Sequence, residues 1–207
     1  MSSSPTIGVL AIQGDVREHS KRLAESGAVV RAVKLHSDLA GISGLVIPGG
    51  ESTTMSILAE RNHLLEPLRE LSKEIPMYGS CAGLIMLADV VTDGRVDQPT
   101  IGGLHITAQR NAFGRQRDSF EIDLDIAALG SPAFHAIFIR APLVTRVSPA
   151  VQVLATIREP VALGDTHSHD ERVVAVRQGN LLATSFHPEL TSDLRFHQYF
   201  VEMVRSA

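Results

Sequence analysis

Ile75-Pro76-Met77-Tyr78-Gly79-Ser80-Cys81-Ala82-Gly83-Leu84-Ile85-Met86-Leu87-Ala88 decides how the rest of the chain is read. Ile75 to Tyr78 is a short apolar run, the pattern of a buried strand, and Ala82 to Ala88 opens a helix. Between them sits the only cysteine of the 207 residues, with glycine two positions before and two after it. Glycine at both places permits a sharp strand-to-helix turn that presents the side chain and lets the helix pack closely on the sheet. A thiol so placed suits a nucleophile, although cysteine between glycines at an ordinary turn is also a common core arrangement.

Outward from this turn the first half of the chain alternates strands and helices. Ile7 to Ile12, Ala28 to Val33 and Gly44 to Ile47 read as strands one to three, and Ile75 to Tyr78 as the fourth. Val16 to Ser26 carries Val16, His19 and Leu23 at helical spacing, and Thr53 to Ser72 carries a mostly helical apolar stripe. Strands alternating with helices predict an α/β fold, a mostly parallel central sheet with helices on both faces. Continuous apolar strands fit burial on two sides. After Val90 the runs shorten and become β-branched: Leu104 to Thr107, Phe120 to Leu124, Ala136 to Ile139, Val151 to Ile157, Val173 to Val176. These predict added antiparallel strands at one edge or flank. Asp193 to Val204 reads as a closing helix with Ser192 or Asp193 as its cap. With no repeat and no low-complexity linker, residues 1–207 are expected to form one domain.

Composition narrows the function. Hydrophobic residues make up 44% and charged residues 20%, with a net charge of −4. No basic field is available to gather phosphates, so nucleic acid is not an expected partner. One cysteine cannot form an internal disulfide, and no stretch approaches the roughly 20 apolar residues of a membrane span, so a cytoplasmic protein with no membrane contact is expected.

Two further motifs meet the cysteine. Leu181 to Phe186 is an apolar run that ends in His187-Pro188-Glu189. Proline fixes the direction in which the chain leaves the strand, and a carboxylate two residues after a histidine can set its tautomer and stabilise its charged form. If the two strands lie side by side, Cys81 and His187 become one hydrogen-bonded pair. Ile47-Pro48-Gly49-Gly50-Glu51-Ser52-Thr53 follows the third strand and precedes a helix. Its glycines leave backbone N–H groups open, as an oxyanion hole or carboxylate pocket requires, and it lacks the spacing of a phosphate-binding P-loop. Read singly, these two segments also suit a capped strand end and a tight turn. All three fall at carboxyl ends of strands, where open α/β sheets bind ligands.

Gly79-Ser80-Cys81-Ala82-Gly83 with His187-Pro188-Glu189 resembles the class I, triad-type glutamine amidotransferases. Four segments are similar to one branch, the glutaminase subunits of pyridoxal 5′-phosphate synthase. They are Pro48-Gly49-Gly50-Glu51-Ser52-Thr53-Thr54-Met55, Gln109-Arg110-Asn111-Ala112-Phe113-Gly114-Arg115-Gln116, Phe138-Ile139-Arg140-Ala141-Pro142 and Ser185-Phe186-His187-Pro188-Glu189-Leu190-Thr191. The likeness runs from about Thr6 to the C-terminus. It implies the three-layer fold of that family, Cys81 as nucleophile, and His187 and Glu189 as the rest of the triad. It further implies an oxyanion hole from the Gly50 and Ala82 N–H groups and glutamine contacts from Gly50, Glu51, Ser52, Arg110, Ile139 and Arg140. Gln13 matches a position near the partner interface. The implied reaction is hydrolysis of L-glutamine to L-glutamate and ammonia, with no cofactor required. Ammonia would pass to a partner synthase subunit. Residues 160–171 are longer and more polar than that pattern.

The remaining polar residues have plainer readings. His167-x-His169 has a spacing found in metal sites but no third ligand, so no metal is expected. His19, His36, His63, His105, His135 and His197 read as surface or satisfied structural histidines, and Arg115 and Arg117 as surface charges or supports of the Arg110 loop. Glu121, Asp123 and Asp125 alternate as the wet face of an edge strand does. The rival readings are a different glutaminase or a thiol hydrolase on the same scaffold, and a catalytically silent regulatory or binding subunit; an intact Cys81, His187 and Glu189 disfavours the last.

Overall fold

The computed structural model describes residues 4–95, 97–110, 119–158 and 171–207. Asn111 to Gln116, Arg117 and the polar segment with His167 and His169 lie outside the described residues. The elements run β1 (Thr6–Leu10), α1 (Val16–Glu25), β2 (Val29–Val33), β3 (Gly44–Ile47), α2 (Ser52–Arg61), α3 (Leu65–Leu71), β4 (Met77–Ser80), α4 (Ala82–Leu87), β5 (Ala88–Thr92) and β6 (Leu104–Gln109). They continue with β7 (Ser119–Leu124), β8 (Phe134–Ile139), β9 (Leu143–Val147), β10 (Gln152–Arg158), β11 (Glu171–Gln178), β12 (Leu181–Thr184) and α5 (Arg195–Arg205).

Ten strands form one sheet in the order β2-β1-β3-β4-β12-β11-β9-β6-β5, with β10 paired to β11. The first five in that order are parallel. β11 is antiparallel to β12, β9 and β10, and β9 is antiparallel to β6. β1, β3, β4 and β12 are buried on both faces because they are almost wholly apolar, whereas β2, at the edge, is largely exposed. Leu45, Ile47, Met77, Leu181 and Ala183 face α2, α3 and α4. Val46, Tyr78 and Leu182, on the alternate positions, face α1 and α5 beside Leu23, Phe196 and Phe200. This is the three-layer α/β arrangement expected from the sequence.

Four details differ from the expectation. The apolar stripe of Thr53 to Ser72 is two helices, because His63 takes a left-handed conformation (φ +54°) and ends the first. The break resets the helical phase, so that Met55 and Ala59 of α2 and Leu65 and Leu68 of α3 all reach one core. β5 and β9 were not anticipated; both are largely exposed, so their sequences carry little apolar signal. β5 moreover runs parallel to β6, inside the region expected to be antiparallel. The closing helix begins at Arg195, two residues late, and Leu194 occupies its cap position without a side-chain bond. Asp193 still serves that end, accepting from the Arg195 N–H at 3.0 Å. β7 and β8 form a separate two-stranded sheet that flanks the carboxyl end of β12.

Candidate active site

β4 and β12 are adjacent and parallel, with Ser80 opposite Thr184. The next residue along β4, Cys81, donates its N–H to the Thr184 carbonyl at 2.8 Å. The chain then turns abruptly, and Cys81 has φ +48° and ψ −102°. This conformation is costly for a residue with a Cβ and is the mark of an over-determined functional turn. The flanking glycines make it possible. A Cβ on Gly79 would lie 2.3 Å from the Gly83 carbonyl oxygen, and one on Gly83 would lie 2.1 Å from that of Ile47. Gly-x-Cys-x-Gly is therefore a packing requirement between β4, α4 and β3.

β12 delivers the histidine. The His187 N–H donates to the Ile137 carbonyl of β8 at 2.8 Å, fixing the backbone where β12 ends. Pro188 to Leu190 form a 3-10 turn that brings Glu189 back under the imidazole. His187 Nδ1 lies 2.7 Å from Glu189 Oε1 and 3.5 Å from Asp15 Oδ2. Cys81 lines the same cleft as this ring, and its thiol lies 3.8 Å from the Ile139 carbonyl. Burial by itself would lower the affinity of His187 for a proton. Interactions with Asp15, Cys81 and Glu189 outweigh it and raise the pKa to about 12, so the ring is an imidazolium at neutral pH. Burial pushes the Glu189 carboxyl up against the opposing pull of His187.

The glycine loop after β3 closes the third side. The Gly49 carbonyl accepts from the Asp15 N–H at 3.0 Å, so the Gly50 N–H of this trans peptide points away from Asp15. Gln13 Oε1 accepts from the Glu51 N–H at 2.9 Å, and a Cβ on Gly50 would lie 2.2 Å from that oxygen. Glu51 caps α2, accepting from the Thr53 and Thr54 N–H groups. Arg110 reaches across from β6 to Glu51 Oε1 at 2.7 Å and Thr53 Oγ1 at 2.9 Å. The Ser52 hydroxyl is buried with no hydrogen-bond partner among the described residues.

These parts line one cleft of about 460 Å³. Cys81, Ala82 and His187 line it together with Gln13, Gly50, Glu51, Ser52, Arg110, Ile139 and Arg140. Glu189 stands behind His187, almost fully buried. The structure thus brings together every site residue singled out from the sequence. It adds Asp15, Ile85 and Leu190 to the lining. Asp15, His187 and Glu189 offer ligand atoms within 4.8 Å of one another, but both carboxylates are turned to the ring.

His19 and His197 are fully buried and lie in contact behind the site. His19 sits on the buried stripe of α1 with Leu23, so its position in the Val16, His19, Leu23 spacing was the available signal. Desolvation lowers both; His197 falls to about 3. A lowered folded-state pKa stabilises above the unfolded value near 6.5, and the contribution is lost as pH falls toward the folded value. His187 is protonated in both states below pH 6.5 and adds no slope there, whereas Glu189, raised by burial, opposes it just above pH 4.5. Urea unfolding should therefore show stability falling on acidification, by about 2 kcal/mol between pH 6.5 and 5 for His197 alone. His197→Gln should flatten that slope by about one proton; an unchanged slope would assign the acid sensitivity elsewhere.

A family model described as the SNO glutamine amidotransferase family matches residues 9–206. The chain belongs to that family. It is 55% identical over 204 residues to a protein of Clavibacter sepedonicus named pyridoxal 5′-phosphate synthase subunit PdxT, covering 98% of this chain and 92% of the relative. A Salinispora arenicola protein of the same name is 54% identical over 206 residues, covering 99% of each. A solved structure described as a glutamine amidotransferase superposes with a TM-score of 0.85 at 43% identity, covering 96% of this chain and 98% of the other. The solved structure of PurLQS from Thermotoga maritima shares the fold, with a TM-score of 0.62 at 15% identity over 99% of this chain and 97% of that one. Among the described residues, no helix is long and apolar enough to cross a membrane.

Proposed function

We propose that residues 1–207 act as one glutaminase domain that hydrolyses L-glutamine and supplies ammonia to a pyridoxal 5′-phosphate synthase subunit. The observation that carries the reading is the placement of Cys81 and His187 in one cleft at the ends of two adjacent parallel strands, with Glu189 bonded to the imidazole from behind. The thiolate of Cys81, the form in which a cysteine is nucleophilic, attacks the side-chain amide carbon. The Gly50 and Ala82 N–H groups take the charge that develops on oxygen. His187 gives its proton to the nitrogen, ammonia leaves, and a thioester remains. Water then passes a proton to His187 and attacks the thioester, releasing glutamate and restoring the ion pair.

The cleft supports glutamine as the substrate. The unpartnered Ser52 hydroxyl offers a hydrogen bond to a ligand. Arg110, turned to Glu51 and Thr53, keeps guanidinium donors for a carboxylate. Gly50, Glu51, Ile139 and Arg140 supply the rest of the wall. A cytoplasmic setting suits a mechanism that needs Cys81 reduced.

Partner control follows from the loop contacts. Gln13 and Asp15 hold the Glu51 N–H and the Gly49 carbonyl, so the peptide before Gly50 is tied to the Gln13 to Asp15 segment. A synthase docking there and on the exposed face of α1 would act on the oxyanion donor through two hydrogen bonds. One such donor is worth roughly 10²–10³-fold in rate. Glutamate release at saturating glutamine should rise by about that factor when the synthase is added. Equal rates would reject activation, and no release in either assay would reject the glutaminase reading.

A further inference from the structure

Behind the imidazole–carboxylate pair lies a buried polar cluster for which the reaction above has no use. His19 Nε2 is 2.9 Å from Ser80 Oγ and 3.3 Å from Glu189 Oε2, and His19 Nδ1 is 3.1 Å from His197 Nε2 on α5. His19, Ser80 and His197 have no exposed surface, and Glu189 has 1%.

Few proton arrangements satisfy this cluster. Glu189 Oε1 is taken by His187, while Oε2 has no well-formed hydrogen bond. The other polar groups nearby are committed. The Tyr78 hydroxyl is engaged with Thr184 Oγ1 at 2.9 Å, and Arg22 reaches only the backbone carbonyl of Glu189. A lone pair on His19 Nε2 facing a carboxylate oxygen at 3.3 Å in a dry site is repulsive, whereas a proton there bonds Ser80 Oγ at 2.9 Å and puts positive charge density beside Oε2. With Nε2 protonated and the ring neutral, Nδ1 accepts from His197 Nε2–H. His197 Nδ1 is then a bare lone pair, and it is the atom of that ring without a partner. The opposite tautomers would strand a buried N–H, which is the rarer defect.

We propose that His19 is a positioning residue for the triad, its Nε2–H bonded to Ser80, the residue before the nucleophile, and set at 3.3 Å against the outer oxygen of Glu189, which it stabilises electrostatically. The inference rests on the triad reading above. It makes the relay run from Cys81 through His187 and Glu189 to His19 and His197, from the cleft into the layer between α1 and α5. The donor keeps Glu189 ionised and leaves Oε1 turned to His187. It also sets the end of β4 beside the same carboxylate.

The test compares three variants of the full chain, assayed for glutamate release with the synthase subunit present. His19→Leu removes both ring nitrogens. His19→Gln places an amide N–H near the position of Nε2, and His19→Asn reaches only that of Nδ1. His19→Leu and His19→Asn should lower kcat by about 10–100-fold, the range found for groups that orient a reacting ligand. KM for glutamine should move less than about twofold, because the loss is confined to the transition state. The acid limb of the kcat profile should shift to higher pH, since Glu189 without its donor holds a proton more tightly. His19→Gln should recover most of the rate. Wild-type kcat and acid limb in His19→Leu or His19→Asn, or His19→Gln as impaired as His19→Asn, would overturn the proposal. If His19→Leu does not fold, the other two, which differ by one methylene, decide. Cys81→Ala in the same assay separates the causes. Activity retained there overturns the triad itself, whereas a dead Cys81→Ala beside unaffected His19 variants overturns only the role of His19.

Discussion

Cys81→Ala is expected to abolish glutamate release, with a loss of roughly 10⁴-fold or more, since no covalent intermediate can form. Cys81→Ser should be nearly as severe. The imidazole of His187, its pKa raised to about 12, already holds its proton at neutral pH and cannot take one from a hydroxyl. The fold should survive, because Cys81 lines the cleft and its backbone bond to Thr184 is kept. Circular dichroism and the melting temperature check the fold, and a glutamine-derived electrophile should label Cys81 alone. Near wild-type turnover in a folded Cys81→Ala chain would sink the mechanism.

His187→Ala should be as damaging as loss of the thiol, and Glu189→Gln should be milder by roughly two orders of magnitude. The imidazole moves the proton to ammonia and takes one from water, so nothing replaces it. The carboxylate only orients and charges the ring. In Glu189→Gln the amide oxygen still accepts from His187 Nδ1, and Asp15 at 3.5 Å supports the same nitrogen. Steady-state rates of both variants with the synthase present decide the matter. A Glu189→Gln enzyme at least as impaired as His187→Ala would mean that the roles are misassigned.

The cleft was legible in the sequence to an unusual degree because its parts are short segments at strand ends. Gly79 and Gly83 announced a turn that only glycine fits, and the structure supplies the reason, two carbonyl oxygens within 2.3 Å of where a Cβ would stand. His187 and Glu189 announced themselves by proline between them. The weaker readings came where sequence carries little apolar contrast. β5 and β9 are mostly exposed, and their place is set by pairing with β6 and β11, partners distant or indistinct in the chain. The break at His63 was hidden because the apolar stripe continues on both sides of it.

The sequence by itself determined the α/β alternation, the three motifs and their common placement at the carboxyl edge of the sheet. These follow from local periodicity and from what glycine and proline do to a backbone. Only the tertiary structure decided which polar groups face one another. Asp15 and Gln13 belong to the site because β1 lies beside β3, which brings the turn after β1 against the glycine loop. His19 and His197 come from helices near opposite ends of the chain, and they meet only because α1 and α5 pack on the same face of the sheet. Whether a buried histidine is a filler or a proton donor depends on its neighbours within about 3 Å, and no spacing along the chain encodes those.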